Sequence, residues 1–311
     1  MNSRKETVAL TESALLTAIT SVLAIAGIYI PLLGFLMFII SVPFIVMMVR
    51  HGWKYVVISS IVSAILVTFV SFPTYGIYVA IFGGLVGLVM GYYIKENKDS
   101  SYTIFYGALT ASIAFIIILS ITTLITGISL SDTVEKVFTE TLSLTENMGF
   151  SDMLKNSEVQ LADLLEIFKM IIPSSLIISA AIYSLINYFI ATVIMKRTGI
   201  HVSSVKKFSR FTLPNNIMVG TTIILVLSYF AGKLNIVDSQ ILFMNVLNLF
   251  IYVFLIQGIA IMFFYLEKWK FKRFSKILSV IAIFLFQVTL TLAVVGWIDN
   301  VFDFRKLRQR K

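Results

Sequence analysis

The chain has 311 residues, 58% of them hydrophobic and only 13% charged, with a mean hydropathy of +0.94. Soluble domains carry about twice that charged fraction, so there is too little polar surface here for a cytosolic enzyme, a secreted domain or a disordered chain. The net charge is +9, and the absence of cysteine removes disulfides, thiolate metal sites and cysteine nucleophiles.

A helix of about 20 apolar residues crosses the hydrocarbon core of a bilayer. Nine candidate runs follow in order: 8–30, 34–49, 53–71, 75–94, 102–127, 170–195, 215–231, 236–265 and 277–298. Backbone groups in lipid must be satisfied internally, and no period-two barrel pattern is present, so the runs read as helices. The expected fold is all-α, a polytopic transmembrane helix bundle of eight or nine helices.

The first run follows Arg4 and Lys5 and is longer than the core of a signal peptide, so it reads as an uncleaved span despite Ala24-Ile25-Ala26. It carries Ala14 and Ala18, with Ser13, Thr17 and Ser21 on the next stripe. Small residues four apart let another helix approach closely. The fourth run has the same device in Gly83, Gly87 and Gly91, beside Gly76, Ala80 and Gly84. Such stripes serve as internal packing faces or as docking faces for a partner helix.

Residues 128–169 form the longest connection and hold eight of the 16 acids. Val134, Val137 and Phe138 share one helical face, and Leu161, Leu164, Leu165 and Phe168 share another. Gly149 and Ser151 read as a stop and a new N-cap. The segment reads as an amphipathic helical hairpin, acting as a lid over a cavity or merely as a solvated insertion.

The sixth run places Ser175, Ser179, Tyr183 and Asn187 four apart on one slowly turning face. A polar stripe in a span faces protein, water or ligand rather than lipid. It either makes interhelical hydrogen bonds or lines a small-molecule cavity. Asn245, Asn248 and Tyr252 make a second polar face, and Gln287 with Thr291 a third. Beyond the last run, Asp299 and Asp303 stand four apart, close to Arg305, as a docking patch or a salt-bridged helix end.

Lys and Arg in short loops set orientation. With the N-terminus in the cytoplasm of the cell, 16 basic residues fall in inner loops, ten of them in 196–214 and 267–276. Nine crossings then leave the basic tail, Arg305 to Lys311, outside, where the charge rule does not want it. The basic loops could bind anionic lipid headgroups or a cytosolic partner; nothing beyond charge suggests nucleic acid.

Catalytic chemistry is missing. His51 and His201 both sit in loops, and HExxH, P-loop and GxSxG patterns are absent. The spans hold no acid except Glu12 and Asp238, each near an end. No catalytic residue, metal ligand or cofactor site is expected, and any energy must come from a partner.

The chain resembles the YybS-like family of bacterial multi-pass membrane proteins. The resemblance lies in Tyr29-Ile-Pro-Leu-Leu-Gly34, Val42-Pro-Phe44, Arg50-His-Gly52, Phe208 through Pro214, Gly296-Trp-Ile-Asp299 and Asp303-Phe-Arg305. More remotely, the first six spans resemble the S component of energy-coupling factor transporters, a six-helix substrate-binding subunit. In that family an alanine pair on the first helix docks on a membrane coupling subunit that works with ATPases, and Ala14 and Ala18 match its spacing. The long loop before the sixth span and the helices after it depart from that pattern.

The resulting division is 1–195 as an S-component-like membrane domain, 196–214 as a basic cytoplasmic loop, 215–298 as two or three further helices and 299–311 as a basic tail. The expected protein is not an enzyme. It binds or carries a small molecule, with Ser175, Ser179, Tyr183 and Asn187 lining the site, or it is a membrane scaffold working through its small-residue faces and basic loops.

Overall fold

The structure is a computed structural model and describes residues 2–145, 161–200, 202, 208–233, 239–268 and 286–307. Among these residues every regular element is helical. Seven helical stretches are long and apolar enough to cross a membrane, and two shorter apolar helices, Asn216–Ala231 and Val288–Phe302, accompany them. The expected stop and N-cap at Gly149 and Ser151 lie outside the described residues.

The chain forms two compact units. Unit 1 comprises Met1–Ser157 and Ser179–Ser204, and unit 2 comprises Glu158–Ile178 and Val205–Lys311. The boundary falls within one continuous helix, α9, Ile172–Arg197.

Unit 1 begins with α1 (Asn2–Tyr29), a 3₁₀ segment (Pro31–Ile39) and α2 (Val42–Arg50). A 3₁₀ run of nine residues is long for its kind. Pro31 at its start and Pro43 near the start of α2 lack the N–H that would extend an α-helix through them. Gly52, at φ 98°, makes the turn into α3 (Trp53–Val70), a backbone state that glycine adopts at low cost. Then follow α4 (Pro73–Tyr78), a π-helical stretch (Val79–Leu85) and α5 (Val86–Lys95), which together make one span. α6 (Ser100–Thr126) ends on Gly127 in the left-handed region at φ 69°, and α7 is Leu130–Thr145.

The core of unit 1 is packed around Phe44, Met47, Phe82, Met90, Tyr183 and Met195, all fully or almost fully buried. Close approach is paid for in side-chain volume: a Cβ on Gly87 would lie 2.5 Å from Phe44 Cβ, and one on Gly91 2.5 Å from Met48 Cβ. The glycine stripe of the fourth span is therefore the seat of α2. Hydroxyls line the contact between α1 and α3: Ser13, Thr17, Ser21, Ser59 and Ser63 are buried, and Ser63 donates to the Thr17 carbonyl at 3.4 Å.

Unit 2 contains α8 (Leu161–Met170), the first turns of α9, a 3₁₀ turn (Phe208–Arg210), α10 (Asn215–Lys233), α11 (Ser239–Lys268) and α12 (Phe286–Phe302). α11 and α12 cross at two glycines. A Cβ on Gly258 would collide with the Leu292 carbonyl, and one on Gly296 with the Phe254 carbonyl. Among the described residues its apolar cluster comprises Leu213, Phe254, Leu255 and Ala293, with Trp297 packed at its edge.

Candidate functional site

The stripe on α9 resolves into different environments. Tyr183 and Asn187 are buried in the core of unit 1, whereas Ser179 is half-buried there. Ser175 is half-buried and belongs to unit 2. Ser41 donates to the Phe82 carbonyl at 3.0 Å and lies 2.6 Å from the Tyr183 hydroxyl, which is then the donor of that pair. The Tyr183 ring meets Phe82 edge to face, with centroids 4.4 Å apart. Asn187 Nδ2 donates to the Phe38 carbonyl at 2.7 Å and to the Tyr183 carbonyl at 2.9 Å. Ser184, one residue along, donates to the Ile104 carbonyl at 2.8 Å.

These partners have a common character. Phe38 sits in the 3₁₀ segment and Phe82 in the π-helical stretch. Irregular backbone within a membrane needs help from side chains to satisfy its polar groups. Tyr183, through Ser41, and Asn187 supply that help. Asn187 Oδ1 is buried without a hydrogen-bond partner among the described residues.

An open groove of about 630 Å³ lies elsewhere in unit 1. It is walled by Ala64, Ile65, Thr68 and Phe69 of α3, Gly76, Ile77, Ala80 and Ile81 of the fourth span, and Ile121 of α6. Thr68 is the single polar side chain in this wall. The groove lies within about two turns of the ends of α3 and α6 and the start of α4, which places it near one membrane face.

The two proposed docking stripes differ in accessibility. Ala14 and Ala18 are exposed on α1, on the stripe next to the buried Ser13, Thr17 and Ser21. Gly83, Gly87 and Gly91 are buried; Gly83 faces Phe44 and Ile40, as Gly87 and Gly91 face Phe44 and Met48. Two turns of helix separate Ala18 from a charged cluster. Glu12 Oε2 accepts from Arg50 Nη1 and lies near His51 Nε2, each at 2.9 Å. His51 also meets Tyr55 edge to face, with centroids 5.7 Å apart. Sequence reading left Glu12, Arg50 and His51 unconnected, because 38 and 39 residues separate the partners.

In unit 2 the chain brings together residues that are far apart in sequence. Arg305 and Asp299 side chains are 0% and 1% exposed. Arg305 Nη2 and Nε donate to Asp299 Oδ2 at 3.0 and 3.2 Å, Nη1 to the Ser209 carbonyl at 3.0 Å, and Nη2 to the Phe211 carbonyl at 2.9 Å. Gln257 Nε2 donates to the same Asp299 oxygen at 3.0 Å, and its Oε1 accepts from the Leu213 N–H at 2.8 Å. Ser209 donates to Glu267 at 3.1 Å. A charge pair buried this way depends on the hydrogen bonds around it; here those to the carboxylate all fall on Asp299 Oδ2, and Oδ1 is buried without a partner among the described residues. Asp303 does not extend the pair along a helical face as its spacing suggests. α12 ends at Phe302, Asp303 takes a positive φ of 46°, and its Oδ1 accepts from the Leu307 N–H.

A second polar node joins α8, α9 and α11. Asn245 Oδ1 accepts from the Ser174 N–H at 2.8 Å, and its Nδ2 donates to the Met170 carbonyl at 2.7 Å. It thus bridges the break before Pro173, serving a carbonyl at the end of α8 and an N–H in the first turn of α9. Asn248 donates to Ser174 Oγ at 2.8 Å. The side chain of Gln287 lies outside the described residues. Among the described residues, no group of three His, Asp or Glu side chains converges to hold a metal ion.

The segments Phe208–Pro214, Gly296–Asp299 and Asp303–Arg305, far apart in sequence, thus meet in one buried network. Comparison with known proteins agrees with what they suggest. The family described as "Predicted membrane protein (DUF2232)" matches residues 18–300. The chain belongs to this family. It is also 29% identical, over 97% of its own length and 98% of the relative's, to the Bacillus subtilis (strain 168) protein described as "Uncharacterized protein YybS". No solved structure matches the chain. The DUF2232 match takes in both units.

Proposed function

We propose that the chain is a non-catalytic membrane protein that docks on a partner membrane subunit through the Ala14–Ala18 face of α1, in the manner of an S component on its coupling subunit. The observation that supports this reading is the two-sidedness of α1. Its hydroxyl stripe is used against α3, while the alanines stay exposed among Leu10, Leu15, Ile19 and Val22. Small residues there offer a neighbouring helix close backbone approach without the loss of a core contact. Partners with ATPase activity would supply the energy. The test is affinity capture of the full chain from membranes, comparing wild type with Ala14→Leu/Ala18→Leu. A membrane partner captured by the wild type and lost in the double variant, at equal protein level and thermal stability, is the expected result. An unchanged partner set refutes it. Recovery of cell-envelope proteins without an ATPase favours a scaffold over transport.

A second reading rests on the groove at Ala64, Thr68 and Gly76. Its volume falls in the range of small-molecule sites, roughly 300–1,000 Å³, and its wall suits an apolar ligand. Ser175, Ser179, Tyr183 and Asn187 are not among the residues that line this groove. Mass spectrometry of protein held in nanodiscs tests it: an apolar compound that co-purifies with the wild type and is lost on Ala80→Trp supports it, and identical extracts refute it.

A further inference from the structure

We propose that the segment Phe208–Phe211 and the turn after α12 form one platform in unit 2 that seats on anionic phospholipid. Phe208, Phe211, Phe302 and Phe304 lie at the acyl boundary, and Arg210 and Lys306 reach the lipid phosphates.

α12 stops at Phe302. Asp303 and Lys306 follow at φ 46° and 50°, left-handed states that cost energy in a residue with a side chain. Two backbone bonds hold this reversal: Asp303 N–H donates to the Asp299 carbonyl and Lys306 N–H to the Asp303 carbonyl, both at 2.8 Å. The turn aims Arg305 back into unit 2, where its guanidinium reaches the Ser209 and Phe211 carbonyls. The residues on either side face out: Phe304 is 53% exposed, and Lys306 is exposed as well.

The guanidinium thereby clamps together two segments that lie 96 residues apart. On one, the rings of Phe208 and Phe211 stack with centroids 6.1 Å apart. On the other, Phe302 and Phe304 stack with centroids 5.8 Å apart. All four rings are exposed, from 37% for Phe208 and Phe211 to 68% for Phe302. Arg210 and Lys306 are exposed within two residues of these rings. Neither is paired with an acid among the described residues.

The place of the platform in the fold selects what covers it. α11 is long and apolar enough to cross a membrane, and its last turns meet the platform. Ser209 donates to Glu267 at 3.1 Å, and Phe208 meets Phe263 edge to face with centroids 5.9 Å apart. Exposed phenylalanines at the end of a span, with cations close by, match the division between acyl chains and headgroups. Charge then selects the lipid. In sequence, 205–214, 267–276 and 305–311 carry 13 Lys and Arg against one acid, Glu267. Anionic headgroups attract such juxtamembrane clusters. The buried Asp299–Arg305 pair gains a role beyond packing, since it sets two arms, each with rings and a cation, on one surface.

Native mass spectrometry of the full-length protein, titrated in detergent with phosphatidylglycerol or phosphatidylcholine, tests this. The wild type should retain phosphatidylglycerol in preference to phosphatidylcholine. Arg210→Gln/Lys306→Gln should weaken that binding about 30-fold at unchanged melting temperature, the effect of two juxtamembrane cations. Phe302→Ser/Phe304→Ser should weaken it too, which separates a lipid from a free phosphate that needs no rings. Affinity indifferent to the phenylalanines overturns the lipid. Asp299→Asn/Arg305→Met releases the clamp and should abolish the preference; a preference that survives in this folded variant overturns the role of the buried pair. Lys54→Gln/Lys95→Gln, an exposed pair in unit 1, reads the general effect of net charge, and an equal fall there overturns the assignment to this surface. Equal retention of both lipids, or a dimer that the platform variants dissociate, overturns the proposal.

Discussion

Unit 1 and unit 2 solve the same problem, burying polar groups among apolar helices, with different chemistry. Unit 1 uses neutral groups. Hydroxyls and one amide, Ser41, Tyr183 and Asn187, satisfy carbonyls of 3₁₀ and π-helical backbone, inside a large apolar core. Unit 2, among the described residues, holds a full charge pair plus the amides of Gln257 and Asn245 beside an apolar cluster around Phe254 and Leu255. Neutral bonds between membrane helices average about 0.6 kcal/mol and are lost singly at little cost. A buried ion pair adds little as a whole but is severe to break, because the surviving charge stays in low dielectric. The two units therefore differ in how the loss of one polar partner is felt.

The sharpest way to break this contrast is Arg305→Met. It strands the Asp299 carboxylate and the Ser209 and Phe211 carbonyls, and we expect a loss of about 3–5 kcal/mol in unit 2. Limited proteolysis between 205 and 214, together with thermal unfolding in detergent, reads this out. Asp299→Asn/Arg305→Met should recover much of the loss, since no charge is then left unpaired. A double variant as unstable as the single one would show that the pair is not what holds this segment.

Next in size come the crossing glycines. Gly296→Ala forces α11 and α12 apart at a backbone carbonyl and should cost about 1–3 kcal/mol. Gly220, on α10, has nothing within 4 Å of its Cβ position, so Gly220→Ala should gain up to about 1 kcal/mol from helix propensity. Equal effects at the two positions in unfolding scans would remove the close-contact explanation.

In unit 1, Asn187→Ala removes the donor to the Phe38 carbonyl and should cost about 1–2 kcal/mol, visible as faster amide exchange within Pro31–Ile39. Exchange rates there matching the wild type would mean that the 3₁₀ segment holds without its side-chain partner. The smallest effect is Glu12→Gln. Its carboxylate is 38% exposed, and surface pairs contribute about 0–1 kcal/mol. A drop in melting temperature as large as that of Asn187→Ala would make the Arg50–Glu12–His51 cluster structural.

The spans were legible because bilayer thickness is written directly into run length and composition. The α9 stripe was legible as an inward face, since Tyr and Asn do not face lipid. Its partners were not, because side-chain spacing says nothing about whether the backbone across the interface is regular. Gly83, Gly87 and Gly91 announced close packing, but only the fold shows that α2 fills the space. Asp299 and Arg305 stood out as opposite charges six residues apart. Gln257, 42 residues before Asp299, and Ser209, 96 before Arg305, lay beyond any local pattern. Arg305, which the sequence also places in a basic tail, is bonded to the Ser209 and Phe211 carbonyls.

Arg305 has a further meaning in time. During synthesis the Ser209 carbonyl precedes its guanidinium partner by 96 residues, which is roughly 5–20 s at ordinary ribosome speeds. A buried carbonyl without a partner is costly, so residues 208–214 must stay hydrated while α10, α11 and α12 are made and inserted. The segment settles only when the end of α12 arrives, which leaves the insertion machinery a defined interval in which unit 2 is still open.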